Sequence, residues 1–322
     1  MDFPKNITCI EDVLNIVRKI RYDVTNNISL PFYNHDSLNQ QSFFTDIWFR
    51  GESKIYDTTL VPKVFRTNFD ETTVYNYLPT YVKELREIES DFDRLCYMQH
   101  YGVPTRMLDW TDNILNALYF AVNDNNDNDG KIYVLNSRLL NKLTGLRDGN
   151  KNILTKDGLG TKFRCLMSHS DNQAEWEDKV KMVLPVEFDW SHPSLNETPI
   201  NTFGFTRDGL KNNREDRAKI FSLPVAVRPD KSNNRISEQS GLFTLHGGKN
   251  NLGKNDEGLI PEPKRLKELN EIGNFLLEFD VPKGKVKESL KNDLLLLQIH
   301  TGKMFPELEK QQEFIDLIGL RK

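Results

Sequence analysis

The sequence has few cysteines, no long apolar run and no apolar segment at its beginning. Cys9, Cys96 and Cys165 are widely spaced and form no CxxC pair, so we expect neither a disulfide framework nor a zinc site. The longest apolar stretch, Leu294–Leu297, is far shorter than the roughly 18–20 residues that a membrane-spanning helix needs. The first residues also lack the apolar core of a signal peptide. These absences predict a cytoplasmic protein with reduced thiols and no membrane partner.

The sequence also lacks a large excess of either charge. Lys and Arg number 43 and Asp and Glu number 47, which leaves a net charge of −4 on 322 residues. This slight acidity argues against a protein that coats nucleic acid non-specifically, although it permits a local basic groove. The glycine-rich signatures of Rossmann and P-loop proteins are absent, as are the GxSxG and HExxH motifs. None of these enzyme classes is therefore supported.

Apolar periodicity predicts helices early in the chain and strands later. Steps of three or four between apolar residues predict helices at Ile10–Ile20, Val82–Met98, Ile114–Val122 and Leu308–Leu320. Short apolar or alternating runs predict strands at Phe43–Ser53, Thr105–Asp109, Lys131–Leu135, Met182–Phe188, Ile220–Val227, Ser240–Leu245 and Phe275–Val281. We expect Thr111 or Asp112 to cap the third helix. This arrangement favours an α+β fold over a regular βαβ alternation.

The first pattern with chemical potential is Phe49-Arg50-Gly51-Glu52. An arginine at the end of a strand, followed by glycine, presents its guanidinium at a sheet edge beside accessible backbone. That placement suits bidentate binding of a phosphate or a carboxylate. The alternative is that Arg50 only forms an ion pair with Glu52, which lies two positions on and on the same strand face.

The second pattern is the segment Gln99–Thr111, QHYGVPTRMLDWT. Asp109 and Thr111 share one face if the segment is extended, so they are candidates for a binding site. The alternative is structural: Trp110 belongs to the core, Asp109 caps a helix and His100 is an ordinary turn histidine.

Two further patterns lie in the second half of the chain. In Arg235–Gly247, Glu238 and Gln239 are a neighbouring acid and amide, either of which can hydrogen-bond a ribose hydroxyl. A shift of one residue in register would exchange which of them faces inward. The other pattern, His300–Leu308, predicts a structural turn into the last helix, anchored by Phe305.

Together these patterns resemble the FRG domain family, which is named after its Phe-Arg-Gly motif, here Phe49–Gly51. The family's QHxGxPTRxLDWT segment is matched by Gln99–Thr111, and the helix that follows it by Ala117–Ala121. Later matches are Arg235, Gln239, Gly241, Phe243 and Met304–Leu308. The resemblance implies one domain over residues 1–322, with a motif core at about 45–250 and the helices at 10–20 and 308–320 packed outside.

A more distant likeness connects the chain to ADP-ribosyltransferases of the Arg-Ser-Glu type. In those enzymes an arginine on one strand holds the phosphates of NAD, a serine or threonine on the next strand lines the nicotinamide pocket, and a later Glu or Gln element reaches the ribose. Arg50, Thr111 and then Glu238 or Gln239 occur here in that order. The likeness implies mainly antiparallel split sheets around a cleft with flanking helices. The family's E-x-E or Q-x-E is replaced by Ser-Glu-Gln, so the ribose contact becomes an amide if Gln239 faces inward.

The likeness also implies site residues and a substrate. NAD would be the substrate, with no metal. The implied catalytic residues are Arg50, Thr111, Gln239 and Glu238. The implied NAD-binding residues are Arg50, Gly51, Asp109, Trp110, Thr111 and Tyr119, with the rings of Trp110 and Tyr119 as walls of the nicotinamide pocket.

The implied function is an NAD-dependent ADP-ribosyltransferase, as a bacterial toxin, a member of a toxin–antitoxin pair or an anti-phage effector. Its partners would be a macromolecular acceptor, either a nucleic acid such as RNA or a protein, and an antitoxin or inhibitor protein. Two alternatives stay open. One is a non-catalytic module that binds a nucleotide or nucleic acid in the same cleft. The other is a metal-dependent hydrolase or nuclease that uses Glu52, Asp109 and Glu238.

Overall fold

The structure of the protein is a computed structural model. It describes residues 2–26, 32, 46–67, 69–124, 126–144, 147–148, 151–152, 223–228, 241–248 and 263–305. The predicted strand Met182–Phe188 and the predicted helix Leu308–Leu320 lie outside the described residues, as do Glu238, Gln239 and Cys165. The other two cysteines, Cys9 and Cys96, are free thiols.

An antiparallel β-sheet lies at the centre of the described structure. Its strands and one small hairpin are β1 (Ile47–Glu52), β2 (Met107–Thr111), β3 (Gly130–Asn136), β4 (Arg147–Asp148), β5 (Lys151–Asn152), β6 (Val225–Val227), β7 (Gly241–Leu245) and β8 (Leu276–Val281). β4 and β5 pair with each other, and the other six form one open sheet in the order β6-β7-β2-β1-β3-β8. The predicted α+β class is confirmed.

The sheet consists of two three-stranded halves that meet at β1 and β2. Every residue of β1 pairs with β3, and every residue of β2 pairs with β7. In contrast, Phe49 and Thr111 are the one residue pair that the described structure places between β1 and β2. The likeness implied separate split sheets, whereas the six described strands form one continuous sheet. Within it, the backbones of β1 and β2 stop pairing beyond Phe49 and Thr111.

Helices surround both halves of the sheet. They are α1 (Ile10–Thr25), α2 (Glu71–Tyr81), α3 (Lys83–Glu87), α4 (Asp91–His100), α5 (Ile114–Val122), α6 (Ser137–Leu143), α7 (Leu266–Gly273), α8 (Lys285–Leu296) and α9 (Thr301–Met304). The predicted helix at 114–122 is confirmed at both ends. Its cap is Asn113, whose side-chain oxygen accepts a hydrogen bond of 3.0 Å from the amide of Leu115; the prediction of Thr111 or Asp112 as the cap is wrong.

The prediction of one helix over Val82–Met98 is also wrong, because this stretch is divided between α3 and α4, after α2. Val82 and Ile88 have extended backbones, with ψ of 108° and 111°, and each ends a helix. The Ser90 hydroxyl then caps α4 by accepting a 3.3 Å hydrogen bond from the Asp93 amide. The apolar period continues across both breaks because all three helices bury side chains in one cluster over β2, β6 and β7.

Two other strands differ from their predicted bounds. β2 begins at Met107 and ends at Thr111, two residues later than predicted at each end. The strand predicted at 220–227 begins, within the described residues, at Val225. The strands predicted near residues 47, 131, 241 and 276 are confirmed, with ends that move by a few residues.

Side chains on the two faces of the sheet enter different apolar clusters. α1, α5 and α8 pack on one face of β1, β3 and β8. Trp48, Leu108, Trp110 and Tyr133 enter the cluster on the other face. Along β2, Asp109 and Thr111 alternate with Leu108 and Trp110, so the two polar side chains point away from that second cluster.

Candidate functional site

A pocket of about 300 Å³ opens where β1 and β2 stop pairing. Residues 49–51 of β1 and 109–111 of β2 line it, together with residues of α4, α5 and β7. The volume lies at the lower end of the roughly 300–1,000 Å³ that is typical of small-molecule sites. A pocket of this size accepts a nucleoside-sized group.

Arg50 lies at this pocket and contacts both strands. Its Nε donates a hydrogen bond of 3.2 Å to Oε1 of Glu52 on its own strand, and its Nη1 donates one of 2.8 Å to the main-chain oxygen of Asp109 on β2. The side chain is 18% exposed. Within the described residues Nη2 has no hydrogen-bond partner. The guanidinium is therefore held in place with one nitrogen available to an anion.

Glu52 is buried and holds Arg50 from two positions further along the same face of β1. Its carboxylate accepts hydrogen bonds from Arg50 and from the hydroxyl of Thr59, which also contacts the hydroxyl of Tyr133 at 2.6 Å. Burial, together with the charge of Glu52, raises the pKa of Tyr133, so its phenol stays neutral. The ion pair that the sequence offered as an alternative is thus present, and it orients Arg50.

Gly51 is needed because α5 lies directly on β1. A Cβ added at Gly51 would lie 1.8 Å from the main-chain oxygen of Ala117 and 2.7 Å from the amide nitrogen of Ala121. No side chain fits in that space. The glycine after Arg50 and the small residues of α5 therefore form one contact, which brings the helix next to the pocket.

Thr111 and Phe49 lie where the two halves of the sheet join. Thr111 is 5% exposed and lines the pocket. Its hydroxyl oxygen accepts a hydrogen bond of 3.1 Å from the amide of Asn113. This bond connects the end of β2 to the start of α5 and fixes the position of the hydroxyl.

Asp109 and Gln99 form the polar wall of the pocket. Nε2 of Gln99 donates a hydrogen bond of 2.9 Å to Oδ2 of Asp109. The hydroxyl of Thr105 donates to Oε1 of Gln99, and its oxygen accepts a bond of 3.2 Å from the amide of Met107. The Asp109 side chain is exposed to the pocket, so it can reach a bound molecule.

Four aromatic rings complete the lining. His100, Phe120, Phe243 and Phe305 all line the pocket. The rings of Phe120 and Phe305 meet edge to face with centroids 6.2 Å apart, and the His100 ring meets that of Tyr101 in the same manner at 4.7 Å. Such rings suit the flat face of a heterocycle.

Comparison with known proteins agrees with these sequence patterns. Residues 45–130 match the sequence model of the FRG domain. This part of the chain is therefore similar to an FRG domain. The match includes the Arg50–Gly51 pair, the segment Gln99–Thr111 and the whole of α5, which together form most of the pocket. No curated protein and no solved structure gives a significant match.

Trp110 and Tyr119, the two aromatic residues expected to wall the nicotinamide pocket, are placed differently from each other. Trp110 is among the residues that line the pocket, but its indole packs in the cluster on the opposite face, and Nε1 donates a 3.1 Å hydrogen bond to Thr244. Tyr119 belongs to α5 and is buried, and its hydroxyl lies 2.9 Å from that of Thr301. Trp110 thus lines the pocket while its indole is held in the cluster on the other face of β2, and Tyr119 is not among the described lining residues.

Several lining residues were not predicted, namely Cys96, Gln99, Phe120 and Phe243. Phe120 follows Tyr119 directly. The helical period therefore predicted that one of these two rings faces the pocket, but not which one. Gln99 belongs to the matched segment and is one position before His100. Phe305 was expected to anchor a turn, and it both follows α9 and lines the pocket.

Glu238 and Gln239 lie outside the described residues, so their side chains are not placed. Gly241, two positions after Gln239 in the chain, lines the pocket. Among the described residues there is no group of three or more His, Cys, Asp or Glu side chains that could hold a metal ion. None of the described helices is long and apolar enough to cross a bilayer.

Proposed function

We propose that this protein binds NAD in this pocket and transfers its ADP-ribose group to a nucleic acid or a protein. The observation that carries the proposal is the position of Arg50. Its guanidinium is fixed from β1 by Glu52 and from β2 by the Asp109 carbonyl oxygen, and its Nη2 has no partner within the described residues. A preoriented guanidinium in the lining of a nucleoside-sized pocket is suited to a pyrophosphate.

The lining matches the chemistry that this reaction requires. Cleavage of the bond between nicotinamide and ribose builds positive charge on the ribose carbon, so the site must hold the phosphates, grip the nicotinamide and offer a polar group to the ribose. Arg50 would hold the phosphates. The rings of Phe120 and Phe305 would pack against the nicotinamide, and Thr111 would hydrogen-bond its amide.

A group for the ribose is available from two parts of the chain. Glu238 and Gln239 precede Gly241, which lines the pocket, and they keep the ribose-binding role that the family likeness implies. Asp109 is a carboxylate within the described lining. A carboxylate stabilises an oxocarbenium-like centre better than an amide does.

Release of nicotinamide from NAD by the purified protein tests this proposal. Arg50→Ala should abolish release, and Arg50→Lys should weaken it strongly because an ammonium cannot make the same directed bonds. The double variant Arg50→Ala/Glu52→Gln removes the buried unpaired charge and separates loss of function from loss of folding. Arg18→Ala, at an exposed ion pair of α1, is the matched control and should release nicotinamide at the wild-type rate.

The same samples distinguish the transferase from the other candidate function, a module that binds NAD without turnover. Saturable NAD binding that Arg50→Ala removes, with no nicotinamide release from the wild type, would establish the module instead. Labelled NAD added with cell lysate, followed by nuclease or protease digestion, would identify the acceptor as nucleic acid or protein. A toxin or anti-phage role predicts that expression of the wild type, and not of Arg50→Ala, arrests growth.

A further inference from the structure

The pocket contains a carboxylate whose orientation is set by its neighbours. Asp109 lies on β2, where Leu108 and Trp110 on either side of it point into the apolar cluster on the other face. Its Oδ2 accepts the bond from Gln99, and within the described residues its Oδ1 accepts none. One carboxylate oxygen is therefore occupied and the other is available to a bound molecule.

The direction of the hydrogen bonds follows from the inventory of donors and acceptors. The amide of Met107 can only donate, so the oxygen of Thr105 accepts from it at 3.2 Å. A carboxylate oxygen accepts, so the Gln99 group that lies 2.9 Å from Oδ2 of Asp109 is its NH₂. The carbonyl oxygen of Gln99 then faces Thr105 and accepts the hydroxyl proton, which the bond from Met107 leaves available.

The first two groups in this series of hydrogen bonds, Thr105 and the Met107 amide, are held in place by the fold. Thr105 is fully buried, and the Met107 amide belongs to the first residue of β2. The same Asp109 that receives the bond from Gln99 also accepts, through its main-chain oxygen, the bond from Arg50. The free carboxylate oxygen therefore has a fixed position relative to the guanidinium.

We propose that Asp109 is a catalytic carboxylate that takes the proton from the acceptor during ADP-ribose transfer, and that Gln99 and Thr105 are its positioning residues. This inference rests on the proposed function. The acceptor's nucleophilic atom forms a bond to the ribose C1′ as the bond from C1′ to nicotinamide breaks. The electron pair of the broken bond stays on the nicotinamide nitrogen, and the acceptor's proton moves to Oδ1 of Asp109.

Glu52 does not compete for this role. It is buried, and its two oxygens already accept bonds from Arg50, Thr59 and the amide of Leu60. It is absent from the pocket lining. Asp109 is the acidic side chain that lines the pocket within the described part of the chain.

The central test compares Asp109→Asn with the wild type in nicotinamide release and NAD binding. The amide of Asn can still accept from Gln99, so folding is preserved, and the free position becomes a donor. The kcat should fall by about 10²–10⁴-fold with little change in NAD affinity. Asp109→Ala should recover part of its rate when formate is added, which a purely structural loss would not do. Release by Asp109→Asn within a few-fold of wild type would overturn the inference.

The positioning residues need a separate readout. Thr105→Val removes the hydroxyl that orients Gln99 while it keeps the size, and Thr105→Ser keeps the hydroxyl. We expect Thr105→Val to lower kcat by about tenfold at unchanged KM for NAD, in line with a bond of about 1.4 kcal/mol, and Thr105→Ser to remain close to wild type. Equal kcat values for the two variants would overturn the role of Thr105.

Gln99→Glu gives an independent check through the pH profile. A second carboxylate beside Asp109 favours the protonated form of the pair, so the acidic limb of the kcat profile should move to higher pH. Gln99→Met should lower kcat without that movement. An unshifted limb in Gln99→Glu would overturn the role of Gln99. Absence of nicotinamide release in the wild type would instead overturn the proposed function, and the two failures are thereby distinguished.

Discussion

Nη1 of Arg50 donates a hydrogen bond of 2.8 Å to the main-chain oxygen of Asp109, which lies 59 positions later in the chain. The bond crosses the gap at which β1 and β2 stop pairing, beyond the pair Phe49 and Thr111. In a continuous ladder these groups would be occupied by the neighbouring backbone. The gap therefore exposes polar groups from two strands, and the arginine both closes the gap and lines the pocket that results.

Replacement of Gly51 by alanine should destabilise the protein severely. The added Cβ would lie 1.8 Å from the Ala117 carbonyl oxygen, and a backbone atom of a packed helix cannot move aside cheaply. We expect a loss of about 3 kcal/mol or more in the free energy of unfolding, at or above the upper end of overpacking costs. Denaturant unfolding measures this loss.

Gly102→Ala is the control for that experiment. Gly102 has φ of +76° and no neighbour within 4 Å of an added Cβ, so alanine meets only the backbone cost of about 1–2 kcal/mol. A Gly51→Ala variant no less stable than Gly102→Ala would contradict the close approach of α5 to β1.

Variants of Tyr119 and Phe120 should separate an effect on stability from an effect on NAD binding. Tyr119→Phe removes a hydroxyl that contacts Thr301 at 2.9 Å and accepts from Asn123 at 3.0 Å, so it should cost about 1 kcal/mol of stability and leave NAD affinity unchanged. Phe120→Leu should weaken NAD binding because the Phe120 ring lines the pocket. Calorimetric titration beside thermal unfolding measures both effects. Weaker NAD binding in Tyr119→Phe than in Phe120→Leu would assign the pocket wall to Tyr119.

The difference between these two residues illustrates what the sequence predicts well and what it does not. The bounds of α5 were predicted correctly because a helical apolar period ends in a polar loop there, although the cap was assigned to the wrong residue. The residue of α5 that faces the pocket was not predicted correctly. Adjacent helical positions lie about 100° apart, and the rotation of the helix depends on its packing against Gly51.

Other differences have equally local causes. The break between α3 and α4 was missed because the apolar residues of both helices keep one period while they bury in a single cluster. Helices α7 and α8 were not predicted because few of their residues are buried. In α8, for example, the buried apolar residues are Leu290 and Leu294. The alternation of β2 predicted the shared face of Asp109 and Thr111, and the same alternation puts the Trp110 indole on the other face.

His300 should make the stability of the protein depend on pH. Burial, and then the charge of Lys303, lower the pKa of His300 below its ordinary value of 6.5. The unfolded chain therefore binds more protons than the folded chain between the two pKa values, so stability rises with pH across that window and is lower below it. His300 is the N-cap residue of α9. Phe305, which lines the pocket, directly follows the end of that helix.

The measurement is the free energy of unfolding of wild type minus that of His300→Asn at pH values from about 4.5 to 7.5. The subtraction cancels the contribution of the carboxylates to the free energy of unfolding, because both proteins contain the same ones. We expect the difference to increase toward neutral pH and to level off above about pH 6.5. A difference that increases toward acid pH would contradict the lowered pKa of His300.

The ion pair between Arg106 and Glu71 should contribute to stability only as an intact pair. Nη2 of Arg106 lies 2.6 Å from Oε2 of Glu71, and both side chains are 2% exposed. Glu71→Gln leaves the Arg106 charge buried without its carboxylate, so we expect a loss of about 3–5 kcal/mol. Denaturant unfolding at pH 7 measures it.

An exposed pair of the same chemistry provides the contrast. Lys83 and Glu87 lie 3.4 Å apart with side chains 75% and 65% exposed, and Glu87→Gln should change stability by less than about 0.5 kcal/mol because solvent screens the pair. Nη1 of Arg106 also donates to the main-chain oxygens of His246 and Gly248 at 3.2 and 3.3 Å, so the buried pair connects α2 to the end of β7. Equal losses in Glu71→Gln and Glu87→Gln would mean that Arg106 keeps its position through these carbonyl groups alone.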